Sequence, residues 1–380
     1  MRLLHVSNIV SHHQIPLARC FAQSLGEGNF RFAATLLGLP DRQQMGWDSS
    51  VRESWILRVG ENAGDRKEFE AWWDDADVVL CGERLFKRMQ ARVRNGRLTF
   101  HKSERWWKPP IGRARLLHPS FLRMTKQFCN LSTFPSFHFM PVGGYAAADI
   151  KYLAPFTGRM WQWGYFTEVP DLVPSCDRSG EDLRILWAGR MLGWKRVDTL
   201  IVAFAQLSKR FPRAILTLAG HGPREARLKK LAAELLSPGT FEFLPAMPVQ
   251  EVLRLMRQHH IYVLPSTGTE GWGAVVNEAM TQGCAVVASE AAGSAKTIVR
   301  HGINGMLFPP NDAEALGQLL CELAESPELR KRLAEEGQRT ITHGWTPAVA
   351  AERFLAVSDA LLANREVPVF TDGPMSPAWE

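Results

Sequence analysis

The sequence lacks the features of membrane-spanning, secreted and disulfide-rich proteins. No uninterrupted apolar run approaches the roughly 20 residues that a spanning helix needs, which argues against an integral membrane protein. The start of the chain turns polar too soon for a signal peptide, so we expect none. The 6 cysteines lie far apart without a Cys-x-x-Cys pair, so neither a disulfide scaffold nor a zinc ribbon is expected. These absences favour a protein of the reducing cytoplasm.

Acidic residues are scarce in one long segment. Between Arg84 and Lys126 the sequence has 13 Lys or Arg and a single acid, Glu104. This segment therefore carries +12, whereas the whole chain carries +6. Such a local excess predicts an anionic partner, which would be a phospholipid headgroup, a lipid-linked phosphate or nucleic acid. The alternative is a solvated basic face that keeps the protein soluble.

Apolar and basic side chains mix in the middle of this segment. The mixture consists of residues 106–110 (Trp-Trp-Lys-Pro-Pro) followed by Arg113, Arg115, Leu116 and Leu117. Such a combination suits an anionic membrane interface, which is the interpretation we prefer. Aromatic residues among cations are also compatible with stacking on RNA bases, so a nucleic-acid-binding function stays open.

The chain is long enough for two domains. Its 380 residues favour that number at about 150 residues per domain. The composition is 46% hydrophobic and 22% charged, which is ordinary for folded chains and excludes wholesale disorder.

Short apolar runs alternate with helix-like stretches, a pattern that predicts parallel sheets with crossover helices. The predicted strands are residues 3–6, 30–37, 55–59, 78–80, 98–100, 137–142, 160–166, 185–188, 215–219, 241–244, 261–264, 285–288 and 306–308. The proline-rich stretch 169–180 predicts a linker between the two halves. We therefore expect an α/β protein with domains over 1–168 and 181–345, a C-terminal helix over 346–364 that packs back towards the first domain, and a tail over 365–380.

The strongest chemical signal is the sequence PSTGTEGWGAVVNEAM at 265–280, after a predicted strand. Gly271 and Gly273 leave the backbone uncovered where a helix should begin, and bare N–H groups at a helix start bind phosphate. Glu270 and Glu278 flank this position. Because an acid repels phosphate, both carboxylates are expected to bind hydroxyl groups of the same ligand.

A second motif, GRMLGWKRVD at 189–198, follows the predicted strand 185–188 and opens a predicted helix over Val197–Arg210. Arg190 and Lys195 are cations at a strand–helix turn, where they could neutralise a diphosphate. Taken alone the pattern is weak, because basic loop residues are common and usually solvated.

At these two motifs the chain resembles the retaining glycosyltransferases of family 4 (group 1), which have the architecture called GT-B. Five motifs occur in the family order, at 189–198, 220–223, 241–245, 270–278 and 301–310. The resemblance implies two Rossmann-like doubly wound parallel-sheet domains facing each other across a cleft. It further implies that the C-terminal domain binds a nucleotide sugar and the N-terminal domain binds the acceptor.

The resemblance implies a role for each matching residue. Glu270 would hold the hydroxyls of the donor sugar near the anomeric carbon, and Glu278 would accept hydrogen bonds from the ribose. Arg190 and Lys195 would clamp the diphosphate and stabilise it as it leaves. The implied nucleotide-sugar site, including loop amides and a strand end near the nucleobase, comprises Arg190, Lys195, Leu244, Glu270, Gly271, Trp272, Gly273 and Glu278.

The N-terminal half matches less of the family pattern. His101 follows the predicted strand 98–100, where many family members carry a catalytic pocket histidine, and its alternative is a buried structural histidine. Many relatives have glycines after the first strand, whereas this chain has SNIVSHHQIP at 7–16, so the usual phosphate contact is not carried over. We expect His12, His13 and Gln14 to shape the acceptor site instead.

The expected activity is transfer of a hexosyl or deoxyhexosyl group, with retention, from a nucleoside-diphosphate sugar to a lipid-linked, polysaccharide or other glycan acceptor. The resemblance implies that the departing phosphate takes the proton of the acceptor. We expect no cofactor and no essential metal ion. Residues 75–77 (Asp-Ala-Asp) match the D-x-D pattern of metal-dependent glycosyltransferases, but acids are commonplace directly before a strand.

Two other functions are weighed against this one. A dinucleotide-dependent oxidoreductase would need a G-x-G-x-x-G sequence after the first strand, and the nearest match, at 220–225, ends in Glu and lies late in the chain. A nucleic-acid-binding protein could use the segment 84–126. We expect no nucleic-acid partner, and place the protein in the cytoplasm, peripheral to an anionic membrane face that the segment 84–126 contacts.

Overall fold

The computed structural model describes residues 1–36, 51–154, 156–170 and 182–378. The chain forms two compact units. The N-terminal unit comprises Met1–Glu168 and Gly344–Glu380, and the C-terminal unit comprises Val169–His343. Residues 171–180 of the predicted linker lie outside the described residues. Residue 37, the last of the predicted strand 30–37, also lies outside them.

A six-stranded parallel sheet forms the centre of the N-terminal unit, in the order β3-β2-β1-β4-β5-β6. Its strands are β1 Leu3–Ser7, β2 Phe30–Ala34, β3 Ile56–Arg58, β4 Val78–Cys81, β5 Leu98–Glu104 and β6 Phe137–Val142. Every residue of β1, β4 and β6 is buried. Parallel strands that helices cover on both faces need apolar side chains throughout, which explains why the strands are continuous apolar runs.

Among the described residues of the N-terminal unit, six segments form α-helices. They are α1 Ile15–Leu25, α2 Ala63–Asp75, α3 Phe86–Arg94, α4 Pro119–Leu131, α5 Gly144–Lys151 and the C-terminal helix α13 Pro347–Leu362. Phe354 of α13 packs against Phe21 of α1, with ring centroids 5.4 Å apart, and against Phe100 of β5 at 4.8 Å. The C-terminal helix therefore completes the core of this unit although it is far away in sequence.

Two expectations for this unit are wrong. The apolar run 160–166 is not a strand and forms isolated bridges, for example between Phe139 and Met160. The supposed tail is partly packed, since Met375 is fully buried and the Ser376 Oγ donates to the Gln162 Oε1 at 2.8 Å. The two irregular segments thus contact each other. The run 160–166 is apolar because Met160, Trp163 and Phe166 are buried in the N-terminal unit.

The C-terminal unit has a second six-stranded parallel sheet, in the order β12-β11-β10-β7-β8-β9. Its strands are β7 Arg184–Ala188, β8 Ile215–Ala219, β9 Phe241–Leu244, β10 Ile261–Leu264, β11 Ala285–Ser289 and β12 Met306–Phe308. Read from the other edge, this is the same doubly wound order as in the first sheet. The predicted α/β class with doubly wound parallel sheets is confirmed.

The part of the C-terminal unit that the structure describes, from residue 182 onward, has seven α-helices. They are α6 Val197–Arg210, α7 Glu225–Leu235, α8 Val249–Gln258, α9 Val275–Thr281, α10 Gly293–Ile298, α11 Ala313–Glu325 and α12 Pro327–Arg339. Helix α6 has the predicted bounds, and its buried residues recur at helical spacing through Leu200, Phe204 and Leu207. Within the described parts of both units, no helix is at once long and apolar enough to cross a bilayer.

Candidate functional site

The candidate site lies at the carboxyl edge of the C-terminal sheet. Strand order in this sheet reverses between β7 and β10, which are neighbours. Doubly wound sheets bind ligands outside the carboxyl ends of their strands at such a reversal. The loop 189–196 follows β7 and the loop 265–274 follows β10. The two motifs of the sequence analysis therefore leave adjacent strands at the same edge.

Lys195 and Glu270 join these two loops. The Lys195 Nζ donates to the Glu270 Oε2 at 2.5 Å, and the side chains are 15% and 11% exposed. The Ser266 Oγ donates to the same oxygen at 2.9 Å. Because the pair is largely shielded from water, its attraction exceeds that of an exposed ion pair. Ser266, to which the sequence analysis gave no role, therefore helps to fix the carboxylate.

Arg190 is a second cation of the loop after β7. Its side chain is half-buried, and its guanidinium forms no hydrogen bond or ion pair with any residue that the structure describes. The backbone is fixed instead, since the Arg190 carbonyl accepts from the Leu192 N–H at 2.7 Å. A guanidinium without a carboxylate partner is available to bind an anion.

The glycine loop between β10 and α9 is tightly packed. Gly273 has φ +87°, and a Cβ there would lie 3.0 Å from a Leu264 methyl and 3.3 Å from the Glu270 Cγ. The Ser294 Oγ donates to the Gly273 carbonyl at 3.1 Å, and the Ser294 N–H donates to the Trp272 carbonyl at 2.8 Å. These carbonyls therefore point towards α10. Gly271 is buried in the same loop.

Glu278 lies in the first turn of α9 and is 7% exposed. Burial raises the pKa of its carboxyl to about 7. The hydroxyl of the buried Tyr262 donates to the Ala188 carbonyl at 3.0 Å, which ties β10 to β7. Burial raises the pKa of Tyr262 far above its usual value, and the charges of Glu278 and Glu270 raise it further. Both predicted carboxylates therefore lie near one phenol.

The motif at 220–223 supports the loop that carries Arg190. Gly220 has φ +133°, and a Cβ there would lie 2.0 Å from the Gly189 carbonyl oxygen. This close approach lets the Met191 N–H donate to the His221 carbonyl at 2.8 Å. Leu244, the half-buried last residue of β9, accepts from the Gly220 N–H at 3.0 Å. Leu244, the predicted nucleobase contact, therefore lies at the carboxyl end of β9, next to the loop that follows β8.

The motif at 301–310 is structural. The Asn304 Oδ1 accepts from the Arg300 N–H at 2.7 Å, and its Nδ2 donates to the Ile298 carbonyl at 3.0 Å. The Leu307 N–H donates to the His301 Nδ1 at 3.0 Å. These bonds fix the turn that precedes β12.

His101 is a core histidine in the N-terminal unit. It is 1% exposed, and its ring packs against Phe86 at 5.2 Å and Phe128 at 6.0 Å. The His101 Nδ1 bonds the Cys81 carbonyl at 3.0 Å, and burial lowers the pKa of the imidazole to about 4. The His101 Nε2 is buried without a hydrogen-bond partner among the described residues, so the catalytic pocket role of His101 stays a prediction.

His12, His13 and Gln14 lie in the loop that leads from β1 into α1. The His12 and His13 rings are 3.8 Å apart, and burial lowers the pKa of His12 to about 4. His13 stacks on Tyr165 at 6.1 Å, and the Tyr165 hydroxyl donates to the Glu104 Oε1 at 2.9 Å. Tyr165 and Glu104 were not predicted as site residues, although Glu104 stands out in the sequence as the one acid of the segment 84–126.

The residues Asp75 and Asp77 lie at the amino end of β4. The Arg2 N–H donates to the Asp77 Oδ2 at 2.7 Å, and the Arg2 guanidinium lies 3.8 Å from the Asp75 carboxylate. Ligands of parallel sheets bind at the opposite, carboxyl edge. The placement agrees with the interpretation of these acids as a strand start rather than a metal motif.

The basic segment 84–126 is not exposed along its whole length. Arg92 is 3% exposed and donates to two backbone carbonyls, and Lys102 is 7% exposed and bonds the His5 Nε2 at 2.8 Å. Trp106 and Trp107 are 3% and 5% exposed. The two tryptophans belong to the core of the N-terminal unit, so the expectation that they are membrane anchors is wrong.

Comparison with known sequences matches residues 174–340 to the group 1 glycosyl transferases. The chain is 26% identical over 181 residues to an uncharacterised glycosyltransferase of Methanocaldococcus jannaschii, an alignment that covers 47% of this chain and 46% of the relative. It is 32% identical over 191 residues to a D-inositol 3-phosphate glycosyltransferase of Nocardia farcinica, with 47% and 40% covered. The chain thus spans less than half of the length of these curated relatives.

Among solved structures, HepE of Anabaena in complex with UDP is similar over 96% of this chain and 100% of that chain, with a TM-score of 0.70 and 18% identity. A likeness at this identity concerns the fold. The chain therefore has the fold of the GT-B glycosyltransferases, and its residues 174–340 match the group 1 glycosyl transferases.

Proposed function

We propose that this protein is a retaining glycosyltransferase that moves a hexosyl or deoxyhexosyl group from a nucleoside-diphosphate sugar to a lipid-linked, polysaccharide or other glycan acceptor. The observation that carries the proposal is the 2.5 Å ion pair between Lys195 and Glu270 at the strand reversal of the C-terminal sheet. This pair puts a cation for a diphosphate beside a carboxylate for sugar hydroxyls. The group 1 match over 174–340 supports the same chemistry.

Arg190 and Lys195 stabilise the leaving group. Cleavage of the bond between sugar and diphosphate puts negative charge on the departing phosphate, and fixed cations lower the barrier by stabilising that charge. The Lys195 ammonium has three donors, so it can bond a phosphate oxygen while it keeps its bond to Glu270. Helix α9 has 7 residues, so its dipole is small and the two cations supply most of the attraction.

Glu270 and Glu278 bind the two sugars of the donor. Glu270 accepts from hydroxyls of the transferred sugar and faces the positive charge that develops at the anomeric carbon. Glu278 accepts from the ribose hydroxyls, and hydrogen bonds from these donors favour its ionised form against the effect of burial. The amides of Gly271–Gly273 contact the diphosphate, and Leu244 lies beside the nucleobase.

Retention follows when the acceptor approaches from the face of the leaving group. The departing phosphate then accepts the proton of the attacking hydroxyl, and no protein nucleophile is needed. We propose that no cofactor or essential metal ion takes part, because Arg190 and Lys195 supply the charge that a metal would otherwise provide.

The N-terminal unit binds the acceptor. His12, His13 and Gln14 precede α1, and the stacked pair of His13 and Tyr165 offers an aromatic surface for a sugar ring. The excess of basic residues over 84–126 supports a cytoplasmic protein that is peripheral to an anionic membrane face, where lipid-linked acceptors are found. Nucleic acid is not proposed as a partner.

A thermal-shift screen with UDP-, GDP- and ADP-sugars, and with NAD as the comparison, tests the proposal. We expect at least one nucleotide sugar to raise the melting temperature and to be hydrolysed slowly without acceptor, equally with and without a chelator. A shift with NAD alone would favour the dinucleotide-dependent alternative. Salt-sensitive RNA binding without turnover of any nucleotide sugar would favour the nucleic-acid alternative.

A further inference from the structure

An apolar tip projects from the N-terminal unit between β5 and β6. We use this name for Ile111, Leu117 and Leu122, which are 56%, 86% and 55% exposed. Ile111 precedes the short 3-10 helix Gly112–Leu117, Leu117 ends it, and Leu122 lies in the first turn of α4. Three large aliphatic side chains are thus exposed within 12 residues of sequence, a local concentration that is typical of an interaction surface.

Cations without acidic partners lie in the same segment as the apolar tip and at the end of α5, beside the Tyr152 that Arg113 contacts. They are Arg113, Arg115, Arg123, Lys126 and Lys151, none of which forms an ion pair with another described residue. The sequence has no Asp or Glu from residue 105 to 148. The Arg113 guanidinium also lies 4.3 Å over the ring of Tyr152, which is 71% exposed. The surface is therefore both apolar and strongly positive.

The apolar tip stands on a rigid base. The Asp149 carboxylate of α5 accepts from the N–H groups of Trp106 and Trp107 at 2.9 and 3.0 Å. The Trp107 indole N–H donates to the Asp149 carbonyl at 3.0 Å, and Phe121 of α4 packs edge-on against Trp106 at 6.0 Å. The surface is thus formed before any partner binds, which reduces the entropy lost on binding.

We propose that this surface docks the N-terminal unit on an anionic lipid bilayer. Ile111, Leu117 and Leu122 enter the interface between headgroups and acyl chains, while the cations bind lipid phosphates. A single-stranded nucleic acid would need a row of aromatic faces for stacking, whereas Trp106 and Trp107 are buried and Arg113 already covers one face of the exposed Tyr152. Aliphatic side chains amid cations favour lipid. This proposal rests on the proposed function, because the docked surface would bring the enzyme to a lipid-linked acceptor.

Flotation with vesicles tests the docking surface without any donor sugar. The vesicles contain phosphatidylcholine alone or phosphatidylcholine with phosphatidylglycerol. We expect the wild-type protein to float with the anionic vesicles, and to do so less at high salt. With the neutral vesicles we expect it to remain in the bottom fraction. The double variant Leu117→Asp/Leu122→Asp should bind the anionic vesicles at least about tenfold more weakly. The variant Leu235→Asp, changed at a 45% exposed leucine of α7, should float like the wild type.

Equal recovery of the wild-type protein with both vesicles would overturn the proposal. The proposal would also be overturned if the double variant floated as well as the wild type. RNA binding that persists in that variant would indicate that the cations bind nucleic acid instead. Thermal melting of each variant checks the fold, and Arg123→Gln/Lys126→Gln tests the same surface by charge alone if the aspartates prevent folding. Donor hydrolysis in solution is measured separately. Vesicle binding without hydrolysis would contradict the proposed function but support the docking surface.

Discussion

Lys195 and Glu270 are 75 residues apart in the chain, and their side chains form a 2.5 Å ion pair at the carboxyl edge of one sheet. The pair exists because β7 and β10 are neighbours at the point where the strand order reverses. Ligands of doubly wound sheets bind at this edge, so a shielded lysine and glutamate there are placed to contact a polar ligand. The pair therefore links the topology of the C-terminal unit to its proposed chemistry.

Removing either partner should slow sugar transfer. We expect Lys195→Ala and Glu270→Ala each to lose at least ~2 kcal/mol of transition-state stabilisation, or about 30-fold in kcat/KM, because each removes a group that stabilises developing charge. Initial rates of donor hydrolysis measure the loss. Glu270→Gln keeps the shape but not the charge and should be impaired as well. Lys209→Ala, at an exposed lysine of α6, should be unaffected. Near-normal rates in both alanine variants would rule out the assigned roles.

Two glycines with nearly equal positive φ angles should respond differently to alanine. Gly273 and Gly239 have φ +87° and +85°, but a Cβ would meet Leu264 at 3.0 Å in the first case and nothing within 4 Å in the second. Gly239→Ala should cost about 1 kcal/mol of unfolding free energy, from the backbone alone. Gly273→Ala should cost roughly 2–3 kcal/mol and weaken nucleotide binding. Equal costs in urea denaturation would contradict the packing described for the glycine loop.

Glu278 should make stability depend on pH. Burial raises the pKa of its carboxyl from 4.5 to about 7, so the folded protein holds a proton that the unfolded chain has lost in this range. The contribution of Glu278 to the unfolding free energy should therefore fall as the pH rises from 4.5 to about 7, by up to about 3 kcal/mol. Glu278→Gln should remove this fall, and thus be more stable than the wild type at pH 8, while it binds the nucleotide less well. A parallel pH dependence of both proteins would contradict the burial of an ionisable carboxylate.

Asp149 should be a strong determinant of stability in the N-terminal unit. Asp149→Ala leaves the buried N–H groups of Trp106 and Trp107 without their acceptor, at an expected cost of about 3 kcal/mol. Asp359→Ala, which removes an exposed ion pair with Arg365, should cost less than about 0.5 kcal/mol. Urea denaturation compares the two variants. A small effect at Asp149 would mean that the two tryptophans do not need this carboxylate.

The sequence predicted most of the fold because burial on both faces leaves continuous apolar runs. In a continuous apolar run, however, the sequence does not indicate which face of the strand points in which direction. In β5, His101 and Lys102 are both buried and lie on opposite faces, and nothing in the local sequence shows which face carries a pocket. The pocket role of His101 therefore stays a prediction.

The errors concern contacts between residues that are distant in sequence. Trp106 was predicted to be a membrane anchor because its hydrogen-bond partner Asp149 lies 43 residues later in the sequence. Ser376 was predicted to belong to a tail because its partner Gln162 lies 214 residues earlier. By contrast, the motifs that carry Lys195, Glu270 and Glu278 could be placed because each follows directly on a strand. Parallel strands bring such positions to one edge without further information.

Calorimetric titration of UDP, GDP and ADP into the wild type and Arg190→Ala tests most directly whether the C-terminal unit binds a nucleoside diphosphate through its cations. We predict that at least one of them binds the wild type and that Arg190→Ala weakens this binding at least about tenfold, or ~1.4 kcal/mol. Arg227→Ala, at an exposed arginine of α7, should bind like the wild type. Unchanged affinity in Arg190→Ala, or no binding of any of the three to the wild type, would contradict the account.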